Sequence, residues 1–485
     1  MSSDVGILGF GAYVPRKRLQ RQAILAAHSW FAAGLKGLAK GERAIADWDE
    51  DPVTMAVEAA RDALGSRDRS ELAAISLAST TLPFLDRLNS GIVKEALCLP
   101  DATFAQDSTG SQRAATTALI QALRGAGAPD NGAQLCLAAD MRKARPASEA
   151  EMLNGDGAAG ILVGRGAPLA RLVGARSVTL DFVDHYRTPA MDFDYGWESR
   201  WVRDEGLIGL TVDALASALA EIGLPADRVD HLLVPIAARG VPAQIARQLG
   251  IAEGAVADTL QAGVGDTGVA HPLLMLCAAL ERAEPGQTIV LAGFGHGVDV
   301  LVLETTPALA EPAARRGVSG CLARRVADDN YMRWLFHRGL VDLERGMRAE
   351  LDQKQPSTTL WRNRRAVLGL VGSRCRETGT VQFPPSDISV AANGWHAHTQ
   401  EPYPLAERQA RIVTFTADSL AYSPDPPGCY GLIDFDGGGR MTVEFADVDP
   451  ADLSVGQAMR MVFRIKAVDE MRGFIKYFWK AVPVD

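Results

Sequence analysis

The chain has 485 residues, 47% of them apolar, so it is long enough to form two or three domains with a substantial core. Its formal net charge of −9 argues against nucleic acid or an anionic membrane surface as a main partner. It carries no secretory signal pattern, no apolar run long enough to span a bilayer and six scattered cysteines without a disulfide pattern, so we expect a cytoplasmic protein.

The first 310 residues alternate short apolar strands with Ala- and Leu-rich helices, a rhythm typical of α/β folds. Strands are predicted at 5–10, 73–78, 134–139, 160–163, 232–235, 288–293 and 298–303. Helices are predicted at 53–64, 112–124, 212–222 and 272–282. The order strand, glycine turn, helix, strand, strand at 109–163 recurs at 267–303, which predicts a pseudo-twofold fold with both glycine-started helices at its centre.

Residues 311–485 differ from the first 310 in composition and in hydrophobic pattern. The segment 311–370 is rich in arginine and predicts a partly helical connector, which is either a solvated face or a basic lip for an anionic cofactor tail. From residue 371 onward, short alternating strands separated by Pro/Gly turns predict a small β-barrel. These strands are predicted at 411–415, 430–435, 441–445, 459–465 and 474–479.

The helix predicted at 112–124 marks the place where chemistry is expected. A helix start offers unpaired backbone N–H groups and a positive dipole end, and enzymes often place a nucleophile there. This turn carries Gln112 and no cysteine, and an amide cannot act as an acyl nucleophile. Gln112 either donates its amide N–H to a thioester carbonyl or enolate oxygen, or it only fills the space of a nucleophile.

Several stretches of the first 310 residues carry a resemblance to a known family. They read GILGFGAYVP, DEDPVTMAVEAARDAL, GDGAAGILVG, DFVDHYR and GDTGVAHPLL, together with the strand–turn–helix at 107–119. They resemble the thiolase superfamily, in particular its 3-hydroxy-3-methylglutaryl-CoA synthase and ketoacyl-ACP synthase III branch. Residues 355–485, with SPDPPGCYGLIDFDGGGR and GQAMRMVFRIKAVDEMRGFIKYFWK, are similar to the OB-fold domain, often headed by a zinc ribbon, that accompanies such acyl-CoA enzymes.

The resemblance implies an α/β chain with a duplicated thiolase fold of five αβαβα layers, followed by a small OB-fold β-barrel with a degenerate zinc ribbon. The implied segments are a thiolase-like N-terminal half at 1–165, a C-terminal half at 166–310, the Arg-rich helical connector at 311–370 and the OB-fold domain at 371–485. It also implies a homodimer that forms through the thiolase-like part.

The catalytic positions depart from the family pattern. The family's nucleophilic cysteine falls at Gln112, its first catalytic histidine at Ile236 and its asparagine at Asp266. A covalent thioester intermediate is therefore chemically implausible at this position. In the ribbon, Cys375 is retained, whereas the other ligand positions read Thr378, Ser389 and about Gly394. Because one thiol cannot hold tetrahedral zinc, we predict no metal.

The remaining polar side chains define the candidate site. His271, which resembles the Gly-His-Pro histidine of thiolases, is the first candidate for a general acid/base, and a core histidine is its alternative. Asp266 is either a proton acceptor or a helix cap. His185 and Tyr186 of the DFVDHYR segment are further candidates for proton transfer or substrate binding, and a structural role of that loop is their alternative. Candidates for binding the substrate or an oxyanion lie on the two glycine turns: Gly110, Ser111, Arg113 and Gly295.

A last cluster of sequence features concerns the binding of an acyl or CoA group. The aromatic residues Tyr195, Trp197 and Trp201 follow one another closely, with Arg200 and Arg203 between and after them. They form either the wall of an acyl or CoA channel or a stripe of the core.

Together these features predict an acyl-CoA enzyme that makes or cleaves the carbon–carbon bond of a β-hydroxyacyl-CoA by (retro-)aldol chemistry. The CoA thioester is expected as substrate, with no permanently bound cofactor. One alternative is a condensing acyltransferase that resembles hydroxymethylglutaryl-CoA synthase or ketoacyl-ACP synthase III. The other is a non-catalytic acyl-CoA-binding subunit.

Overall fold

The computed structural model describes residues 5–127, 132–311, 315–350, 357–392 and 395–484. The chain forms two compact units. The first comprises Met1–Asp47, Asp51–Gly91 and Leu99–Arg338, and the second comprises Trp48–Glu50, Ile92–Cys98 and Gly339–Asp485. Within the described ranges, no helix combines the length and the apolar character needed to cross a membrane.

The strands and helices of the first unit follow the predicted α/β order. Its strands are β1 Val5–Tyr13, β2 Lys17–Gln20, β3 Glu42–Ala44, β4 Leu72–Ala78, β5 Phe104–Ser108, β6 Ala133–Asp140, β7 Gly157–Arg165, β8 Ala170–Thr179, β9 His185–Tyr186, β10 Tyr195–Gly196, β11 His231–Leu233, β12 Thr288–Phe294, β13 Gly297–Thr305 and β14 Val326–Asp328. Its helices are α1 Arg21–His28, α2 Pro52–Leu64, α3 Asn89–Ala96 (which continues into the second unit), α4 Ala114–Gly125, α5 Glu149–Leu153, α6 Ser199–Trp201, α7 Thr211–Ile222, α8 Val241–Leu249, α9 His271–Leu280, α10 Gly317–Ala323 and α11 Tyr331–His337.

Nine strands form one sheet with the order β11-β12-β13-β8-β1-β7-β6-β4-β5. From the centre outward, β1-β7-β6-β4 in one half corresponds to β8-β13-β12-β11 in the other. The corresponding pairs also agree in direction, since β6–β7 and β12–β13 are antiparallel while β4–β6 and β11–β12 are parallel. The predicted internal duplication is therefore confirmed, and β5 is an additional edge strand of the first half.

The helices cover the two halves of the sheet in layers. Helix α2 packs on β1, β6 and β7, and α7 packs on β8 and β13, so these two helices form the outer layers. Helices α4 and α9 contact each other and strands of both halves, which places them in the middle layer. Every residue of α9 is buried, as a central helix requires, and the layer order is the αβαβα arrangement expected from the resemblance.

Helix α2 shows how local sequence positions these layers. Asp51 and Thr54 form a reciprocal capping box at its start, and Pro52 occupies the first turn, where no N–H is needed. Gly11 of β1 allows the helix to approach, because a Cβ at that position would lie 2.2 Å from the backbone nitrogen of Ala63.

The second unit contains the C-terminal barrel. Its helices are α12 Ser357–Arg362 and α13 Arg364–Leu368, and its strands are β15 Val371–Cys375, β16 Val381–Gln382, β17 Gln400–Pro404, β18 Ala410–Asp418, β19 Gly428–Phe435, β20 Arg440–Glu444, β21 Ala458–Asp469 and β22 Phe474–Pro483. A five-stranded antiparallel sheet has the order β20-β19-β18-β21-β22, and a three-stranded sheet has the order β16-β15-β17.

Aromatic packing and a buried ion-pair network hold this unit together. The rings of Phe463 and Trp479 pack edge to face at 5.4 Å, and the indole N–H of Trp479 donates to the Leu368 carbonyl at 2.7 Å. Arg464 on β21 is buried and contacts the carboxylates of Glu50 and Asp447. The segment Trp48–Glu50 thus supplies charge that the barrel strands need.

Candidate functional site

Gln112 lies in the turn between β5 and α4, two residues before the helix begins. Its amide nitrogen lies 3.5 Å from the hydroxyl oxygen of Thr80 and 3.4 Å from Nε2 of His185. Its amide oxygen points to the other side, 3.2 Å from the position that a Cβ on Gly268 would occupy. The residue at the nucleophile position is therefore surrounded by polar groups from both halves of the fold.

His185 is held by its neighbour Asp184. Its Nδ1 lies 2.8 Å from a carboxylate oxygen of Asp184, so Nδ1–H donates to the carboxylate and the lone pair of Nε2 faces Gln112. Burial lowers the pKa of His185, but the hydrogen bond and charge of Asp184, with the charge of Asp194, outweigh it and raise the pKa above the ordinary value. This arrangement has the geometry of an oriented general base.

His271 begins α9 and is 1% exposed. Its Nδ1 accepts from the Thr267 N–H at 3.2 Å, and its Nε2 donates to the Thr259 carbonyl at 2.9 Å. Burial lowers the pKa of His271 despite the nearby charge of Asp266, so the ring is neutral. Because backbone groups bond both nitrogens, this geometry favours His185 over His271 for proton transfer.

Asp266 forms an ion pair with Arg142, at 2.9 Å between Oδ2 and Nη2, and accepts from the Gly268 N–H at 2.9 Å. Burial raises the pKa of Asp266, but the charge of Arg142 and the hydrogen bond from the Gly268 N–H outweigh it, and the net direction is down. An ionised carboxylate with a cationic partner is a weak proton acceptor. This geometry favours the alternative for Asp266, a carboxylate that caps the turn before α9, and its role as a proton acceptor stays a prediction.

Asp140, at the end of β6, accepts hydrogen bonds from residues of both halves of the fold. One carboxylate oxygen accepts from the Ser79 hydroxyl at 2.9 Å, the Thr80 N–H at 2.9 Å and the Thr81 hydroxyl at 2.8 Å. The other accepts from the Thr80 hydroxyl at 3.0 Å and the Val269 N–H at 2.9 Å. With five donors on a buried carboxylate, Asp140 fixes Thr80 next to Gln112.

The residues expected to bind the oxyanion are mostly engaged within the protein. Ser111 Oγ donates to the Gly295 carbonyl at 2.9 Å, and the Gly295 N–H donates to the Gly297 carbonyl at 3.0 Å. Arg113 donates to the Gly295 carbonyl and to the carboxylate of Asp299, at 2.8 and 2.7 Å. Gly110 is exposed with a φ of +88° and provides the turn. In this structure these contacts join the two glycine turns, and a role of the four residues in binding an oxyanion stays a prediction.

Tyr186 follows His185 on β9, and its side chain points to the other face because successive residues of a strand alternate. It is 44% exposed and packs against Tyr195 with ring centroids 5.5 Å apart. Within the described residues its hydroxyl has no hydrogen-bond partner, so the structure does not bring Tyr186 together with Gln112.

A cavity of about 360 Å³ opens beside Asp184, a volume suited to a small-molecule ligand. Of the predicted aromatic wall, Trp197 faces the cavity, whereas Trp201 stacks on Phe182 at 4.3 Å. A π-helical segment, Val202–Leu210, forms part of the wall. The lining residues are Asp184, Gly196, Trp197, Ser199, Arg200, Val202, Arg203, Leu207 and Ala238.

Sequence reasoning missed Thr80, Asp140 and Arg142. A signal was present, because polar residues follow β4 and β6, and parallel neighbouring strands bring their carboxyl ends to the same edge of a sheet. The contacts of Arg187 and Asp194 are apparent only in the tertiary structure. Arg187 donates to Asp194 at 2.6 Å and to the Thr80 carbonyl, which ties the loop of His185 to the loop of Thr80.

Cys375, the one retained cysteine of the predicted degenerate zinc ribbon, ends β15 in the second unit. Its thiol is 3.1 Å from the Thr399 hydroxyl, and hydrogen bonds from Thr378 and Thr399 outweigh burial and lower the pKa of Cys375 to about 6. Ser389 is buried, and Gly394 lies outside the described residues. Across the described ranges, no three His, Cys, Asp or Glu side chains come together as metal ligands.

Two family models match the chain. Residues 219–303 match the C-terminal part of 3-oxoacyl-[acyl-carrier-protein] synthase III, and residues 403–464 match the C-terminal OB-fold domain of ChsH2. These matches and the strand order confirm the predicted thiolase-like fold with a C-terminal OB-fold domain.

Curated relatives and solved structures agree with the models. Hydroxymethylglutaryl-CoA synthase of Methanopyrus kandleri is 30% identical over 305 residues, which cover 61% of this chain and 85% of the relative. The enzyme of the same name from Methanosarcina mazei is 28% identical over 350 residues, 70% of this chain and 99% of the relative. A crystal structure of an HMG-CoA synthase complexed with CoA has the same fold, with a TM-score of 0.59 and 18% identity over 73% of this chain and 95% of that one.

Proposed function

The chain belongs to the hydroxymethylglutaryl-CoA synthase family, extended by a C-terminal OB-fold domain, and from this premise we propose that it is a carbon–carbon bond enzyme of acyl-CoA substrates that works without a cysteine nucleophile. The reaction we propose is the reversible aldol cleavage of a β-hydroxyacyl-CoA. One observation carries the proposal: the lone pair of His185 Nε2, oriented by Asp184, faces Gln112 at the family's nucleophile position.

The proposed reaction needs a base and an oxyanion donor but no nucleophile. His185 Nε2 removes the proton of the β-hydroxyl, the Cα–Cβ bond breaks, and its electron pair forms the enolate of the thioester while a carbonyl forms at Cβ. The Gln112 amide N–H donates to the enolate oxygen. The imidazolium of His185 then returns its proton to Cα, which yields a shortened acyl-CoA and an aldehyde or ketone. The reverse sequence makes the bond.

The cysteines support a reaction without an acyl-enzyme. We place Gln112 at the nucleophile position, and Cys136 on β6 of the same half is buried. Burial raises the pKa of the Cys136 thiol to about 12, and its sulfur faces the Ala118 carbonyl at 3.9 Å. A thiol in this environment is protonated and inert at neutral pH.

We propose a CoA thioester as the substrate, as in the solved relative that binds CoA. The cavity beside Asp184 supports this choice, because Trp197, Val202 and Leu207 offer apolar surface to an acyl or pantetheine chain. Arg200 adds positive charge to the same lining, which suits an anionic cofactor tail, whereas Arg203 is paired with Asp204 at 2.6 Å. No cofactor that stays bound is part of this mechanism.

We also propose a homodimer through the thiolase-like unit. Strand β5 lies at the edge of the nine-stranded sheet, and Phe104 at its start is exposed. An exposed edge strand is a template for another strand, and β5 of a second copy is the partner we expect. Analytical ultracentrifugation should then give about twice the chain mass of 51.8 kDa. A monomer at micromolar concentration would contradict this part of the proposal.

The second candidate function is that of a condensing acyltransferase, which the names of the curated relatives favour. It requires an acyl-enzyme and therefore predicts radiolabelled protein after incubation with labelled acyl-CoA. The aldol reaction predicts none. Retained label on the denatured protein would decide for the condensing reaction.

The main experiment is mass spectrometry of products after incubation with a panel of β-hydroxyacyl-CoAs and β-ketoacyl-CoAs. We expect a shortened acyl-CoA and a carbonyl product from a β-hydroxyacyl-CoA. His185→Ala and Gln112→Ala should each lower the rate at least about 100-fold, the usual effect of a lost acid/base or oxyanion donor. The matched control is His231→Ala. This histidine lies outside the site and forms a hydrogen bond of 2.8 Å with the side chain of Gln287. CoA binding without any turnover would instead mark a non-catalytic subunit.

A further inference from the structure

We propose that Arg142 binds the thioester oxygen of the substrate and stabilises the negative charge that it gains as an enolate. The inference rests on the proposed aldol function and assigns a cationic residue to it. Arg142 follows β6 by two residues and is 9% exposed. Its Nη2 is anchored on Asp266, to the carboxylate at 2.9 Å and to the carbonyl at 3.2 Å.

Nε of the same guanidinium, unlike Nη2, forms no hydrogen bond with Asp266. Nε of Arg142 is buried and has no hydrogen-bond partner among the described residues. A buried charged donor without an acceptor is costly, so such a group points to a ligand or water that the free protein does not supply. Nε lies 3.0 Å from the point that a Cβ on Gly268 would occupy, and the Gln112 amide oxygen lies 3.2 Å from the same point.

The amide oxygen of Gln112 indicates which type of acceptor suits Nε of Arg142. This oxygen borders the same point beside Gly268 as Nε of Arg142 does, and a thioester carbonyl oxygen has the same acceptor chemistry. Once His185 holds the proton of the β-hydroxyl, rotation of the amide about its last side-chain bond turns the amide oxygen toward Nε2–H of the imidazolium and the amide nitrogen toward Arg142. The substrate oxygen then accepts from Arg142 Nε and from the Gln112 N–H together, with His185 on the opposite side of the amide.

The neighbouring donors are already engaged. The Gly295 N–H donates to the Gly297 carbonyl. Arg113 donates to Gly295, Asp299 and Thr179. Arg187 donates to Asp194 and to the Thr80 carbonyl. Arg142 differs from these three donors, because its buried Nε–H has no acceptor among the described residues.

Charge makes this donor suited to an enolate. A hydrogen bond between a guanidinium and an anionic oxygen is about twice as strong as one between neutral groups, and it gains strength where water is excluded. The thioester in its ground state is neutral, so Arg142 stabilises the enolate more than the substrate. This difference is what lowers a barrier.

The test compares two CoA thioethers by isothermal titration calorimetry. S-carboxymethyl-CoA places a carboxylate where the enolate forms, and S-propyl-CoA is its neutral counterpart. The wild-type protein should prefer the anion, and Arg142→Gln should lower that preference roughly 10- to 100-fold, the value of a hydrogen bond to a charged group. Affinity for S-propyl-CoA should stay within about threefold, and Arg142→Lys should retain part of the preference.

Controls separate binding from folding. Arg142→Gln leaves Asp266 without its partner, so the double variant Arg142→Gln/Asp266→Asn is measured as well and should lose the same preference. Arg176→Gln removes an arginine that is paired with Glu221 outside the site and should change nothing. If Arg142→Gln and the double variant keep the preference for the anion, Arg142 has no such role while the proposed function stands. If the wild-type protein binds neither thioether, both the CoA function and the role of Arg142 are overturned.

Discussion

Nε2 of His185 lies 3.4 Å from Nε2 of Gln112, and the opposite nitrogen of the imidazole is held by Asp184 at 2.8 Å. Two nitrogens this close are compatible only if one donates and the other accepts. Because an amide nitrogen can only donate, Nε2 of His185 carries the lone pair. The pair thus defines the protonation state in which His185 acts as a base.

The pH dependence of the reaction follows from this pair. The base form of His185 is neutral, and the carboxylates of Asp184 and Asp194 raise its pKa against burial and the charge of Arg142. We expect kcat/KM for aldol cleavage to fall with falling pH, with a midpoint above the ordinary histidine value of about 6.5. Asp184→Asn should lower the rate and move the midpoint to lower pH.

The matched control for the pH profile is Asp192→Asn, which neutralises an exposed carboxylate of the same loop. It should leave the midpoint in place. A profile that does not change in Asp184→Asn would contradict the assignment of the base to His185.

His271 should matter for stability more than for chemistry. His271→Ala removes the partners of the Thr267 N–H and the Thr259 carbonyl and leaves a cavity, at a cost of about 2–4 kcal/mol. The pKa of His271 is lowered in the folded state, so the unfolded chain takes up a proton first as the pH falls. The stability contributed by the neutral ring is therefore present above the unfolded pKa and is lost at lower pH.

Thermal unfolding followed by circular dichroism at several pH values tests the role of His271. His398→Ala is the control, because that ring is largely exposed and pairs with the exposed Asp387. A stable His271→Ala protein that has lost all turnover would return His271 to the position of the acid/base.

Gly268 should not tolerate a side chain. Its φ is +59°, and a Cβ would lie 2.4 Å from the carboxylate oxygen of Asp140. Gly268→Ala should cost about 2–4 kcal/mol from the left-handed backbone and the overlap, and should lower turnover because Gln112 and Arg142 border the same point. Gly254→Ala, where nothing lies within 4 Å, should be close to neutral. Equal unfolding midpoints for both variants would contradict this account of the site.

Arg464 should be essential to the second unit. It is 1% exposed and faces the carboxylates of Glu50 and Asp447. Arg464→Met should cost about 3–5 kcal/mol, because it leaves buried carboxylates without a partner. Arg440→Met removes an exposed pair with Asp434 and should cost at most about 1 kcal/mol. Urea unfolding followed by tryptophan fluorescence can compare the two, and similar midpoints would contradict the prediction.

Much of the architecture was accessible from sequence. The duplicated strand order follows from the alternation of apolar runs and glycine turns, and the helices at 53–64 and 212–222 differ from α2 and α7 by one residue at their starts. Helix α4 begins later than predicted, at Ala114, since the φ of Gly110 and the bonds between Ser111 and Gly295 hold the preceding residues in a turn. Periodicity does not register such contacts between distant segments.

The identity of the acid/base was less accessible. Sequence reasoning ranked His271 first because it begins a central helix and resembles the Gly-His-Pro histidine of thiolases. It ranked His185 second because a structural role of its loop was the alternative. The ranking could not include the two backbone groups that bond His271, or the carboxylate beside His185, because hydrogen-bond partners are a property of the folded chain. These site residues remain predictions that the variants above test.

The sequence by itself predicted that Gln112 stands in place of the family's nucleophile, because the identity of a residue at a motif position needs no coordinates. It also determined the duplicated fold, since hydrophobic periodicity reflects which faces are buried. Only the tertiary structure decided which groups surround Gln112. His185 and Thr80 lie within hydrogen-bonding range of Gln112, and Arg142 Nε borders the same point beside Gly268 as the Gln112 amide oxygen does. These residues come from segments far apart in the chain, and only the folded structure brings them together.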